Sequence, residues 1–149
     1  MSEILVNSTH TNCLNEAHTL PKLLTWLFYG EGQLTSNVGE VVAFAKTSVA
    51  IRNNLTVADV QYYASPGFYT DNTVNRLDDN GVGLGGIILR PKSVGRIELR
   101  SSNPLDPPKI FANYLADKED AETLVEILKT SRKFSQTEPL KLLLNKEYK

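Results

Sequence analysis

The sequence predicts an α+β fold, and three observations predict it. Apolar residues recur at helical spacing from Leu20 to Tyr29 and again after Asp117. Short runs of branched and aromatic residues fill the stretch between them. Within that stretch, GIILRPKSVGRIELRS, from Gly86 to Ser101, reads as two strands around a turn, an antiparallel hairpin. At 149 residues the chain is long enough to bury a core in one domain and leaves little room for a second.

Taken in order, Leu20, Leu23, Leu24, Leu27 and Phe28 share helical spacing, Thr19 is placed to cap, Pro21 fits the first turn and Gly30 supplies a stop. A buried amphipathic helix is expected there. Val41 to Lys46 (VVAFAK) and Asp59 to Ala64 (DVQYYA) read as strands. From Ser65 to Gly83 the density of Gly, Pro, Asn and Asp rises, which marks a long surface loop, a length uncommon without a role. Strands at Gly86 to Arg90 and Gly95 to Ser101 follow, with Ile97 and Leu99 on one face and Arg96, Glu98 and Arg100 on a wet one. Asp117 can cap a helix running to about Phe134, and Asp120 adds negative charge near its start. Ala121, Leu124, Val125, Leu128 and Arg132 share one face of that helix, flanked by Ile127 and Phe134. The closing PLKLLLNKEYK begins another helical pattern that the sequence does not complete, as a truncated chain would.

Composition removes several function classes. Apolar residues make up 41% and charged residues 22%, close to globular averages, so disordered, coiled-coil and collagen-like readings fail. Lys plus Arg (16) nearly balances Asp plus Glu (17) without a basic block, so no nucleic-acid partner is expected. The single cysteine, Cys13, excludes an intrachain disulfide framework. MSEILVNSTHTN lacks a basic start followed by an apolar run, so these residues carry no secretory signal, and no apolar stretch approaches a membrane span of about 20 residues. Two acceptor sequons, Asn7-Ser8-Thr9 and Asn54-Leu55-Thr56, carry meaning only in an exported chain, and chance occurrence is the expectation for both.

Each motif competes with a bland reading. Gly81-Val82-Gly83-Leu84-Gly85-Gly86 satisfies GxGxxG, but a polar turn precedes it and a strand follows, so no helix N-terminus meets a pyrophosphate. His10, Cys13 and His18 include zinc-type ligands without a fourth, and solvated loop residues are expected. No GxSxG elbow is present. Asp78-Asp79-Asn80-Gly81 is a turn sequence, without the alternating oxygens and closing Glu of a calcium loop. Tyr62, Tyr63, Phe68 and Tyr69 are the more informative cluster, because strand alternation turns one tyrosine of the pair into the core and the other away from it.

Read together, LLTWLFYGEGQLTSN (Leu23 to Asn37), Ala43-Phe44, Asp59 to Gln61, RPKSVGRIEL (Arg90 to Leu99), the following prolines with Ile110, and Asn113 to Leu115 resemble the substrate-binding region of glucose-methanol-choline oxidoreductases. The likeness spans residues 20 to 137, and GQLTSNVGEVVAF is similar to insect glucose dehydrogenase-like members. Gln33 and Glu31 depart from the residues common in relatives, Pro and Arg. The resemblance implies an antiparallel sheet packed against helices, an incomplete substrate-binding domain occupying residues 1–149. It implies FAD as cofactor, an alcohol or sugar substrate oxidised at a CH–OH group, and a separate FAD-binding domain as partner. The FAD fingerprint and the catalytic histidine segment are expected outside this stretch, so no residue here is nominated as catalytic, cofactor-binding or metal-binding, and the isolated chain is expected to be inactive. Phe44, Gln61, Tyr63 and Phe68 are nominated as substrate-binding. The competing reading is a non-catalytic binding module or relic derived from the same family.

Overall fold

In a computed structural model of the chain, the described residues are 2–7, 19–37, 39, 41–66, 69–70, 75–76, 81–138, 140–143 and 146–147. The strands are Ser2–Asn7 (β1), Val41–Ala45 (β2), Val60–Pro66 (β3), Tyr69–Thr70 (β4), Asn75–Arg76 (β5), Gly81–Ile88 (β6), Arg96–Glu98 (β7), Lys109–Phe111 (β8) and Lys146–Glu147 (β9). The helices are Leu20–Tyr29 (α1), Ser48–Arg52 (α2), Lys118–Ser135 (α3) and Leu140–Leu143 (α4), with a single 3-10 turn at Gln33–Thr35. The α+β expectation holds. A five-stranded sheet runs β2-β3-β6-β1-β9 with antiparallel neighbours throughout.

Alternation along β3 and β6 decides which face is core. Val60, Tyr62 and Ala64 point one way and oppose Ile88, Gly86 and Leu84 on β6. The long helix α3 lies across this face. Ile127, fully buried, packs with Val60 and Tyr62 while Leu124 and Ile88 close around them. A second cluster joins Leu84 to Ala64, Val82 and Leu128. The Tyr62 and Phe134 rings meet edge-on with centroids 5.4 Å apart. Close approach of helix and sheet requires glycine at 86, where a Cβ would stand 2.7 Å from Ile127 Cγ2 and 3.0 Å from the Gln61 carbonyl oxygen.

Asp117 caps α3 as expected, accepting from the Glu119 amide at 2.8 Å. The buried stripe of α3 is rotated from the expected one: it runs through Asp120, Thr123, Ile127 and Ser131, while Val125 is exposed. Asp120 turns inward because its carboxylate accepts the Lys92 and Ser93 amides, which hydrophobic spacing does not register, whereas the buried Ser131 Oγ has no hydrogen-bond partner among the described residues.

Four other expectations need correction. First, α1 forms and ends as expected, with Gly30 at φ 66 donating its amide to the Trp26 carbonyl, yet none of its residues is buried and Phe28 is 73% exposed. Helical spacing gives the stripe but does not supply a surface to cover it. Second, the strand before Pro91 does not fold back on the strand after it: β7 pairs with β8, setting Arg96 opposite Phe111. Pro91 and the segment to Gly95 redirect the chain instead of making a tight turn. Third, much of the expected loop is strand, with β3 running to Pro66, β6 starting at Gly81 and the small β4–β5 ladder between them. Glycine and proline density marks a loop when taken alone, but sheet neighbours on both sides hold β6 extended. Fourth, β1, β9 and α2 were not anticipated; β1 inserts between β6 and β9.

Among the described residues, no helix is long and apolar enough to cross a membrane.

Candidate functional site on the open sheet face

The face of the sheet opposite α3 collects three of the four nominated residues. Register places Phe44 beside Gln61 and Gln61 beside Ile87; one step along, Val42 faces Tyr63 and Tyr63 faces Gly85. Directly opposed residues on one face stand about 5 Å apart at Cβ, so these side chains are immediate neighbours. Phe44 is 62% exposed, and Gln61 and Tyr63 are half-buried. Phe68 lies outside the described residues. Gly83 and Gly85 add no side chain to this face. The result is an aromatic and aliphatic surface carrying one carboxamide and one phenol, groups that can contact carbon and also donate to and accept from a hydroxyl.

The tyrosine pair divides as alternation requires. Tyr62 turns to the core, where burial pushes its phenol up, against a hydrogen bond with Thr130 and with help from the charges of Glu126 and Asp59. Tyr63 takes the open face.

One junction holds this face in register. The Thr47 amide donates to Asp59 Oδ1 at 2.8 Å, the Thr47 hydroxyl donates to Asp59 Oδ2, and the Ala50 amide donates back to Thr47 Oγ1 at 3.2 Å. The Asp59 amide donates to the Ala45 carbonyl and its carbonyl accepts from the Leu89 amide, at 3.2 and 2.8 Å. Asp59 therefore ties the ends of β2, β3 and β6 together, and both it and Thr47 are buried. Sequence reading missed this pair; the detectable signal was a threonine three residues before Ala50, a helix-capping arrangement.

A second junction carries the β7–β8 ribbon. The Lys92 and Ser93 amides donate to the two carboxylate oxygens of Asp120 at 2.9 and 2.7 Å, and the Asp117 amide donates to Ser93 Oγ at 3.0 Å. Burial pushes the Asp120 carboxyl up, but the Ser93 side chain, the two amides and the Lys92 charge together hold it below the usual carboxylate range. Lys92 Nζ lies 2.6 Å from Glu119, raising the one and lowering the other, and Asn53 Nδ2 also donates to Glu119. Asn113, at φ 50, donates Nδ2 to the Val94 carbonyl at 2.9 Å. Gly95 threads between these strands, where a Cβ would come within 2.6 Å of the Phe111 and Ala112 carbonyl oxygens.

The glycine fingerprint does not fit a flavin pyrophosphate. Gly81 to Gly86 lies inside β6, paired to β3 on one side and β1 on the other, and Ile87 and Ile88 continue the strand. Its amides face sheet neighbours and no helix N-terminus follows. Among the described residues no group of three His, Cys, Asp or Glu side chains could hold a metal ion; His10, Cys13 and His18 fall outside them.

The ribbon and its α3 clasp coincide with a family model described as GMC oxidoreductase, which matches residues 91–149. The chain belongs to the glucose-methanol-choline oxidoreductase family. Among curated relatives, it is 36% identical over 137 residues to glucose dehydrogenase [FAD, quinone] of Drosophila pseudoobscura, an overlap covering 86% of this chain and 22% of that protein. It is 39% identical over 111 residues to alcohol dehydrogenase [acceptor] of Pseudomonas putida, covering 74% and 19%. Oxygen-dependent choline dehydrogenase of Pseudomonas fluorescens is 30% identical over 111 residues, again 74% and 19%. The chain thus spans about a fifth of the length of these GMC relatives.

Proposed function

We propose that these residues form the substrate-facing part of an FAD-dependent oxidoreductase that oxidises a CH–OH group of an alcohol or sugar. The observation that carries the proposal is the convergence of Phe44, Gln61 and Tyr63 on the sheet face that α3 leaves open. Relatives named for FAD, quinone, alcohol and choline supply the reaction class. The flavin's dinucleotide is held by a domain outside these 149 residues, consistent with the misfit at Gly81 to Gly86. Residues 1–149 act as one part of the substrate domain, with Phe44 and Tyr63 walling the substrate's carbon skeleton and excluding water while the Gln61 carboxamide orients a hydroxyl. A flavin held against this face would supply the hydride acceptor, chemistry that belongs to the cofactor.

The test is purification of the protein encoded by the full reading frame containing this sequence. The proposal expects a flavin absorbance band that bleaches with an alcohol or sugar and returns with a quinone or oxygen. Gln61→Ala should raise KM about 10-fold, the magnitude of one lost hydrogen bond to substrate. A full-length protein that binds no flavin and oxidises nothing in a panel of sugars, primary alcohols and choline would leave the binding-module reading in its place.

A further inference from the structure

The outermost strand of the open face has the least to hold it. β2 stands at the edge of the sheet, paired to β3 on one side and to no other strand among the described residues. None of its five residues is buried, so no side chain anchors it beneath α3. A strand without a buried face has a weakly specified register and opens at low cost, and Phe44 moves with it.

Hydrogen bonds at the end of β2 supply what burial does not. Thr47 is 1% exposed and Asp59 5%, and Thr47 occupies both carboxylate oxygens of Asp59 through its amide and its hydroxyl. The next residue, Ser48, donates its amide to both carboxylate oxygens of Glu126 at 3.0 Å and its hydroxyl to one of them at 2.5 Å. The end of β2 is therefore fixed at once to the start of β3 and to α3. Capping α2 explains a threonine at 47, whose hydroxyl accepts from the Ala50 amide. It does not explain a buried carboxylate at 59, a group that is costly to desolvate unless its partners matter. Phe44 precedes this clasp and Gln61 follows it, and the ladder sets them side by side.

We infer that Thr47 and Asp59 are positioning residues that set where Phe44 stands against Gln61, and so decide which substrate carbon skeletons the open face accepts. The inference rests on the substrate-facing reading of that face. Neither residue touches substrate; both act through β2.

The experiment uses the full-length protein, with Thr47→Val removing the hydroxyl at constant shape, Asp59→Asn as a second variant and Thr47→Ser as the conservative rescue. The first readout is the ratio of kcat/KM for glucose over xylose, or for 1-hexanol over 1-butanol, which does not depend on the fraction of protein folded. Thr47→Val and Asp59→Asn should change the ratio about 10-fold, the lower end of what a pocket wall discriminates, and Thr47→Ser should restore it. Asp120→Asn, at the ribbon clasp, should cost stability without moving the ratio. The second readout is hydrogen exchange, which should speed up about 10-fold across residues 41–45 in Thr47→Val and stay unchanged across 81–88. Stability lost with the ratio intact, or equal acceleration in both segments, would overturn the inference. A wild-type protein that oxidises nothing defeats the substrate reading instead, and exchange then decides by itself whether the clasp places β2.

Discussion

Both faces of the main sheet carry apolar side chains, and their fates are opposite. On one, Val60, Tyr62, Leu84 and Ile88 disappear under α3; on the other, Val42 and Phe44 remain open beside Gln61 and Tyr63. The covered face reads as architecture, because Val60, Tyr62 and Leu84 pack against Leu124, Ile127 and Leu128 of the same chain. The open face, together with α1 and the β7–β8 ribbon, presents apolar surface beyond what a lone soluble domain usually leaves exposed. The chain spans about a fifth of its relatives' length, and the asymmetry fits the proposal that the open face looks onto substrate.

The largest effect that separates the two faces is on the covered side. Ile127→Ala removes a fully buried side chain and should destabilise the protein by roughly 2–5 kcal/mol, read from denaturant midpoints. Phe44→Ala on the open side should stay within about 0.5 kcal/mol in the same assay while raising KM in the full-length enzyme. Equal stability losses at the two positions would erase the distinction.

Next in size is the ribbon clasp. Asp120→Ala leaves the Lys92 and Ser93 amides unpaired and should cost about 1–3 kcal/mol. The wild-type contribution also depends on pH. Asp120 is held below its unfolded value of about 3.9, so its contribution is present above that pH and lost as pH falls through the lower folded value. Asp120→Asn should flatten part of the acid limb of a Tm-against-pH profile below about pH 4, and Glu119 and Glu122, both also lowered, should retain the rest. An unchanged limb would mean the clasp adds nothing to acid stability.

The smallest effect concerns solution behaviour. The isolated 149-residue chain should self-associate through its exposed apolar surface, seen as concentration-dependent sedimentation, and Phe44→Ser with Phe28→Ser should shift it toward monomer without changing the midpoint of unfolding. A wild-type chain sedimenting as a sharp monomer at all concentrations would count against the reading of the open face.

Much of the fold was legible locally. The strands at 41–45 and 60–64, the Gly30 stop and the Asp117 cap each follow from a few adjacent residues, and so does the division of Tyr62 from Tyr63. Three of the four nominated residues share a face for the same reason, since a period of two fixes their sides once the strands are known. The β1 and β9 strands were not legible, because they depend on pairing partners some 80 and 140 residues apart in sequence. Asp59 and Asp120 were missed as junctions because a buried carboxylate that accepts backbone amides looks in sequence like any surface acid.

The sequence by itself determined the family likeness and, through steric and capping rules acting over a few residues, the Gly30 stop of α1, the Asp117 start of α3 and the alternation along β2 and β3. Only the tertiary structure decided which apolar surface became core, that β7 joins β8 instead of β6, and that Gly81 to Gly86 is a strand. Those outcomes rest on long-range pairing and burial, whose free energy depends on what the chain meets after it has folded back on itself.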